Sequence, residues 1–488
     1  MFSSLKRLTK HSAVYGIGHF ITRVVNFLLL PLYTNTFSAN EYGAAAVVFS
    51  FIALMTVVYP YGIDEAFMRY FILSDKEKER RQIFSTAFWS LVVVSCILSI
   101  LIYGYARVLS VMLLSSVVYS HLFRLSSLIL LFDTLAFLPV LYLRAEEKSV
   151  RYIVLKFINV FVNVALNIFY IVYQKQGVEG IFLANVWASA VTFLLLTPIL
   201  FKQVSLIFDW GRYRELLRFG LPYLPAAVAL VTLELMDRFV LEKLAGLEAT
   251  GIYHAGYKLG TLMALFVAAF RFAWHPFFLT TSKQENAKEI FSKVFTYFTA
   301  LGVAIFLVVS LFIDQIVRFR IFGFSIFGPE YWQGTVIVPI ILLSYLLYGM
   351  YVNFIVGIYL REKTQYIPLV TWAGAGVNII ANILLIPKFG MIGSAYATLL
   401  GYVAMAGSLY FMAQKLYPIR YEFGRLLKLA AVAAAVFYFS YDFYGTGEMV
   451  VKVALLLGFP LVLFLTGFFE PREIVKLRGL LLGGRNGS

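Results

Sequence analysis

Runs of about twenty apolar residues, each long enough to cross a lipid bilayer, recur from one end of this chain to the other. The hydrocarbon core is ~30 Å thick and a helix rises ~1.5 Å per residue, so a run of that length spans it once. Inside lipid, backbone amides and carbonyls find no water, so each run must bond to itself as a helix or close with others into a barrel. Barrel strands alternate in polarity every second residue. These runs do not alternate, and the sequence predicts helices.

Composition agrees: 61% of the 488 residues are hydrophobic and 14% are charged, where a soluble domain carries ~25%. The expected spans are 12–33, 42–66, 84–104, 122–143, 151–173, 178–201, 219–241, 251–276, 294–313, 334–357, 366–386, 391–413, 427–444 and 449–469. The seventh is the least regular, with Pro222, Pro225, Glu234, Asp237 and Arg238. The first has no small-residue cleavage site after it and reads as a retained span rather than a signal peptide. The expected class is an all-α integral membrane protein of about fourteen transmembrane helices.

The net charge of +15 would suggest nucleic acid in a soluble protein. Its placement argues against nucleic acid and for a lipid surface. With the N-terminus on the cytoplasmic side, 30 of the 41 Lys and Arg residues fall in inner loops or at inner helix ends, the positive-inside pattern. That pattern needs an even number of spans and puts both termini in the cytoplasm. The single cysteine, Cys96, excludes an internal disulfide. The five histidines show no metal-ligand spacing, and no Gly-rich loop ends in Gly-Lys-Ser/Thr, so neither a metal nor ATP is expected. The longest outer loops are 105–121 and 314–333, and the longest inner loop lies near 202–218. None is large enough for a soluble catalytic domain.

The chain also repeats itself. Tyr142-Leu143-Arg144 with Glu147-Lys148 is echoed by Tyr359-Leu360-Arg361 with Glu362-Lys363. Asn163 and Asn167 are echoed by Asn378 and Asn382, and Gly177 and Gly180 by Gly390 and Gly393. A weaker echo relates Glu41-Tyr42-Gly43 to Thr250-Gly251-Ile252-Tyr253. The repeat unit is six spans, an even number, so both copies insert in the same orientation. Parallel six-helix lobes about a pseudo-two-fold along the membrane normal are a transporter architecture. The expected organisation is an N-terminal lobe at 1–201, a C-terminal lobe at 202–413, and two further helices with a cytoplasmic tail at 414–488.

Several motifs resemble a known family. They are Ser12-Ala13-Val14-Tyr15-Gly16, Leu29-Leu30-Pro31-Leu32-Tyr33-Thr34, Glu41-Tyr42-Gly43, Phe219-Gly220-Leu221-Pro222, Asp237-Arg238-Phe239, Gly251-Ile252-Tyr253 with Gly256-Tyr257-Lys258, and Phe389-Gly390-Met391-Ile392-Gly393-Ser394-Ala395. In this order they resemble the bacterial polysaccharide-biosynthesis membrane proteins. These are lipid-linked oligosaccharide flippases, the O-antigen flippases included, of the multidrug/oligosaccharidyl-lipid/polysaccharide (MOP) exporter superfamily. The resemblance implies two lobes around a central cavity, alternating access, and a lipid-linked oligosaccharide diphosphate as cargo. It also implies a bacterial inner-membrane setting beside a polysaccharide polymerase and glycosyltransferases. Lipid II flippases and multidrug antiporters share the implied fold.

Ionisable residues inside a membrane are costly and mark candidate sites. Arg23 lies mid-way along the first span. It either grips a lipid diphosphate through charge-assisted bonds, or sits in a salt bridge or snorkels to the surface. Arg271 is near the inner end of the eighth span, a first contact for a diphosphate or an ordinary basic flank. His254 and Lys258, four apart, share a helix face that either lines the outer half of the cavity and meets substrate or has Lys258 paired with a neighbouring carboxylate. Asp133 in the fourth span, and Glu234 and Asp237 in the seventh, are candidates for H⁺ or Na⁺ coupling or for charge pairing. Glu234 with Arg238, and Glu65 with Arg69, have the spacing of local ion pairs.

The leading expectation is a flippase with no covalent catalysis. A multidrug cation antiporter on the same fold would want an acidic cavity. A polymerase or ligase of lipid-linked sugars would want a large outer catalytic loop.

Overall fold

With no water in the hydrocarbon, the chain satisfies its amides along helices. The computed structural model describes residues 27–321, 324–442 and 448–470. Their helices are α1 (Leu30–Thr36), α2 (Ala39–Val58), α3 (Ile63–Leu73), α4 (Glu77–Gly104), α5 (Ala106–Leu114), α6 (Ser120–Ala145), α7 (Ser149–Ile168), α8 (Glu179–Gln203), α9 (Trp210–Gly220), α10 (Leu224–Thr281), α11 (Ala287–Arg318), α12 (Val338–Leu360), α13 (Tyr366–Leu416), α14 (Phe423–Asp442) and α15 (Glu448–Leu465). Among the described residues the only strand pairing joins Arg320–Ile321 to Phe324–Ser325.

Eleven stretches of the described chain are helical, long and apolar enough to cross a membrane. Two of them must cross twice. The 58 residues of α10 and the 51 of α13 would extend roughly 87 and 77 Å if straight, far beyond ~30 Å of hydrocarbon. Each folds back at a glycine with left-handed backbone, Gly246 (φ 86°) and Gly390 (φ 54°). Within α10, the Tyr253 hydroxyl reaches Asp237 at 2.5 Å, sixteen residues away. Within α13, Ser394 donates to Asn382 at 2.9 Å, twelve residues away. Counted this way, the described crossings correspond to the second through fourteenth expected spans. The first, 12–33, lies mostly outside the described residues.

Two spans differ from expectation. The second, read as continuous over 42–66, is broken. Pro60 lacks an amide proton and crowds the preceding turn, and Tyr61 (φ 38°) and Gly62 (φ 83°) both take left-handed backbone before α3 begins. The seventh begins at Leu224 rather than 219, after a short 3₁₀ turn at Leu221–Tyr223. The residues before that turn form α9, whose first amides at Gly211 and Arg212 donate to the Asp209 carboxylate at 2.8 and 3.1 Å.

The repeat is visible atom by atom. At the end of α6 the Lys148 amide donates to Leu143 O at 2.8 Å, and at the end of α12 the Lys363 amide donates to Ile358 O at 3.0 Å. Glu147 (φ 53°) and Glu362 (φ 56°) occupy the left-handed position of these two matching caps. In the helices that follow, Asn167 Nδ2 donates to Asn163 O and Oδ1 at 2.8 and 3.0 Å. Asn382 Nδ2 does the same to Asn378 at 2.9 and 3.1 Å. Gly177 (φ 61°) and Gly390 (φ 54°) then turn both chains. The two C-terminal helices pack on α11 through Leu307 and Leu311 against Leu429, Phe459 and Leu463.

The lobes touch at both ends of α2. At the end away from the basic loops, a Cβ on Gly43 would strike the Leu247 carbonyl, and a Cβ on Gly251 would strike the Ala39 carbonyl. This reciprocal contact joins the segments linked by the weaker sequence echo. At the basic-loop end, Gly62 and Gly220 block each other's Cβ positions in the same reciprocal way.

Candidate functional site

Two cavities lie along the inner wall between these contacts. The first, about 240 Å³, is lined by Phe27, Glu234, Arg238, His254, Tyr257, Lys258 and Tyr345. His254 and Lys258 face it together, as their spacing predicts, and both are half-buried. Lys258 has no hydrogen bond or ion pair from its ammonium among the described residues, and His254 Nδ1 is buried without a partner. Arg23, proposed to meet the same cargo, lies outside the described residues.

Behind this cavity, Asp237 and Arg238 are sealed from solvent, at 0% and 2% exposure. Arg238 Nη1 donates to Asp237 Oδ1 at 2.6 Å and to the Glu234 carbonyl at 2.5 Å. Tyr253 and Thr398 donate to Asp237 Oδ2 at 2.5 and 3.3 Å. Asp237 thus fastens both arms of α10 to α13, and its charge is matched by its neighbour. The expected pairing of Glu234 with Arg238 is not formed through the carboxylate. The Glu234 carboxylate instead accepts from Tyr345 at 3.2 Å.

The second cavity, about 470 Å³, opens nearer the basic-loop end between the lobes. One wall carries Asp64 and Glu65 from the first turn of α3, just past the Pro60–Gly62 break. The other carries Arg271, Trp274 and His275 from α10 and Tyr348, Tyr351 and Tyr359 from α12. Arg271 is exposed to the cavity and donates to the Tyr348 hydroxyl at 3.2 Å. The structure therefore separates Arg271 from Lys258. They lie thirteen residues, about 20 Å, apart on the same helix arm and face different cavities. Glu65 does not pair with Arg69, whose guanidinium stacks on the Phe219 ring at 4.5 Å.

A run of tyrosines joins the two levels. Arg238 sits 4.0 Å over the Tyr257 ring. The Tyr257 and Tyr345 hydroxyls are 3.0 Å apart. Ring contacts at 5.9, 5.8 and 6.0 Å then lead from Tyr345 to Tyr402, Tyr348 and Tyr351. Asp133 is placed elsewhere, on α6 of the first lobe, exposed and within range of Ser189 and the Lys156 ammonium. Arg124, on the same helix, lies over the Tyr103 ring at 5.5 Å.

Sequence reasoning did not single out Asp64 or the cavity tyrosines as site residues. The Pro-Tyr-Gly break before Asp64 was the available signal. For the tyrosines there was none, since aromatics also form interfacial belts.

Two like halves of membrane-length apolar helices, with cavities between them, define a multi-pass membrane protein. Over residues 8–282, more than half its length, the chain matches the polysaccharide biosynthesis protein family, and it belongs to that family. Its fold is similar to that of the lipid II flippase MurJ in an inward closed conformation, with a TM-score of 0.76 and 15% identity, covering 93% of this chain and 99% of that one. It is also similar to an inward-facing multidrug resistance MATE family transporter of the MOP superfamily, with a TM-score of 0.62 and 13% identity, covering 81% and 94%. An uncharacterized membrane protein of Methanocaldococcus jannaschii is 22% identical over 437 residues, 81% of this chain and 83% of the relative. These structural neighbours are transporters rather than enzymes.

Proposed function

We propose that this protein is a flippase that moves an undecaprenyl-diphosphate-linked oligosaccharide, a surface-polysaccharide or O-antigen repeat unit, from the cytoplasmic to the periplasmic leaflet. The observation that carries this reading is Lys258, a membrane-embedded ammonium that faces a cavity and has no carboxylate within 4.0 Å among the described residues. A cation held in that setting favours an anionic ligand. Membership of the polysaccharide biosynthesis family supplies the sugar. In this reading Lys258 and His254, with Arg23, hold the diphosphate, and Arg271 meets it nearer the cytoplasmic side. The lipid tail stays in the bilayer, and the lobes rock to expose the head to one leaflet at a time.

The alternative is a cation antiporter. Asp237 is closed to a drug cation, because its carboxylate is already held by Arg238, Tyr253 and Thr398. Asp133, Glu234 and Asp237 remain charge-pairing or coupling residues in this reading. An anionic cargo leaving a negative cytoplasm gains ~2.3 kcal/mol per charge per 100 mV, with H⁺ or Na⁺ counterflow as a further source. The site is expected in a bacterial inner membrane, with cytoplasmic termini, beside a polymerase and glycosyltransferases.

A deletion strain tests the reading. Lipid-linked repeat units should accumulate on the inner leaflet and return to normal on complementation. Unchanged glycolipids with altered dye efflux would refute it in favour of drug export.

A further inference from the structure

The cavity at the basic-loop end is built unlike the one at Lys258. Its volume is about 470 Å³ and its walls come from both lobes. Three tyrosines, Tyr348, Tyr351 and Tyr359, stand along one helix of the wall. Trp274, 3% exposed, is in the same wall, and its buried indole N–H has no acceptor among the described residues. Across the gap, Asp64 is half-buried and Glu65 exposed. Among the described residues neither carboxylate has an ion-pair partner within 4.0 Å, and Arg271 spends its one hydrogen bond on a tyrosine hydroxyl.

Aromatic faces with a few convergent polar groups are the chemistry of a ligand pocket. Aromatic rings offer flat apolar area to the C–H face of a pyranose. Carboxylates accept from sugar hydroxyls, and guanidinium and indole N–H groups donate to ring, hydroxyl and acyl oxygens. The sign of the wall sets a further limit. In the lining itself two carboxylates stand against one guanidinium, with Arg144 acting on both from outside it, so an acidic sugar in direct contact with Asp64 and Glu65 meets repulsion, while a neutral or ammonium-bearing one does not.

Resting on the flippase reading, we infer that this cavity binds the first saccharide of the cargo, and that Asp64 and Glu65 select neutral or amino-bearing hexoses over acidic ones. The diphosphate and the sugar are then recognised at different heights of the same pathway, the one at Lys258 and the other on the tyrosine wall. Specificity for the sugar resides in Asp64, Glu65 and the tyrosines, apart from the Lys258 and His254 that hold the lipid diphosphate.

The test uses the purified full chain in detergent micelles and three probes in titration calorimetry: farnesyl diphosphate, the same lipid carrying one N-acetylhexosamine, and the same lipid carrying one hexuronic acid. The neutral sugar should tighten binding about tenfold over the bare lipid, a step of about 1.4 kcal/mol, and the acidic sugar should add nothing. Tyr359→Ala, at a residue 37% exposed, should remove the neutral-sugar gain. Because the gain is a ratio within each variant, a general loss of fold would weaken all probes alike and leave it in place. Asp64→Asn with Glu65→Gln should let the acidic sugar bind as well as the neutral one.

Binding of the bare lipid with no gain from the neutral sugar would overturn the inference and leave the flippase reading standing. So would a gain that survives Tyr359→Ala, or an acidic sugar that binds the unaltered protein as well as the neutral one. If neither the bare lipid nor the glycosylated lipids bind, the flippase reading falls and this inference falls with it.

Discussion

Arg238 and Asp237 are neighbours on one helix, yet their side chains turn toward each other and meet at 2.6 Å with both sealed from solvent. Breaking a buried pair by removing one partner leaves an uncompensated charge and costs ~3–5 kcal/mol. Asp237→Ala should therefore lower thermal stability in detergent by that order. Asp237→Ala combined with Arg238→Met should recover part of the loss, because no charge is left stranded. Equal melting of the single and double variants would show that the pair is not what holds α10 to α13.

Lys258 gives a sharper functional expectation. Charge-assisted hydrogen bonds contribute ~1.5–3 kcal/mol each, or roughly 10- to 100-fold. Lys258→Ala should cut surface-polysaccharide export by that factor with normal protein levels in the membrane, and Lys258→Arg should keep most of it. Full complementation by the alanine variant would remove Lys258 from the pathway.

The reciprocal Gly43 and Gly251 contact should control access from the end away from the basic loops. Gly43→Leu cannot keep the backbones in contact and should hold that end apart. With Cys96→Ser removing the lone thiol, His254→Cys should react with an impermeant maleimide several-fold faster when Gly43→Leu is present. Unchanged labelling would mean the closure is made elsewhere.

Because Asn167 and Asn382 make matching bonds in the two halves, Asn167→Ala and Asn382→Ala should destabilise by similar amounts, about 1 kcal/mol per bond lost. Asn382→Ala also strips the acceptor from Ser394, and Asn167→Ala strips the acceptor from Tyr33. Thermal melts of the two variants compare them directly. A large effect in one copy alone would separate the roles of the repeats.

The crossings and their repeat were legible in the sequence because hydrophobic length and small-residue spacing are local properties. The positive-φ glutamates at 147 and 362 were visible as a matching motif, although their conformation was not. The break at Pro60–Gly62 was hidden by the apolar residues around it, and hydropathy read straight through. The site was harder. Helical spacing put His254 and Lys258 on one face, but no spacing rule reveals that Arg238 turns to Asp237 rather than to Glu234. That choice depends on Tyr345, which occupies the Glu234 carboxylate from another helix. Likewise the role of Tyr348 in receiving Arg271 is set by packing between α10 and α12, which sequence distance does not encode.

The helix α9 has a mechanical consequence. Its Leu216 is buried in the first lobe's core with Ile63, Phe67 and Phe84. Gly220 abuts Gly62, and the Asp209 amide just before α9 donates to Thr86 at 3.2 Å. Yet the chain leaves α9 directly into α10, the first long helix of the other lobe, through Leu221–Tyr223 alone. The second lobe is therefore leashed to the first at the basic-loop end. Three residues, even fully drawn out, reach about 10 Å. While α9 stays seated, that length caps how far the lobes can part there, so the tether sets a ceiling on the girth of any head group that enters from that side.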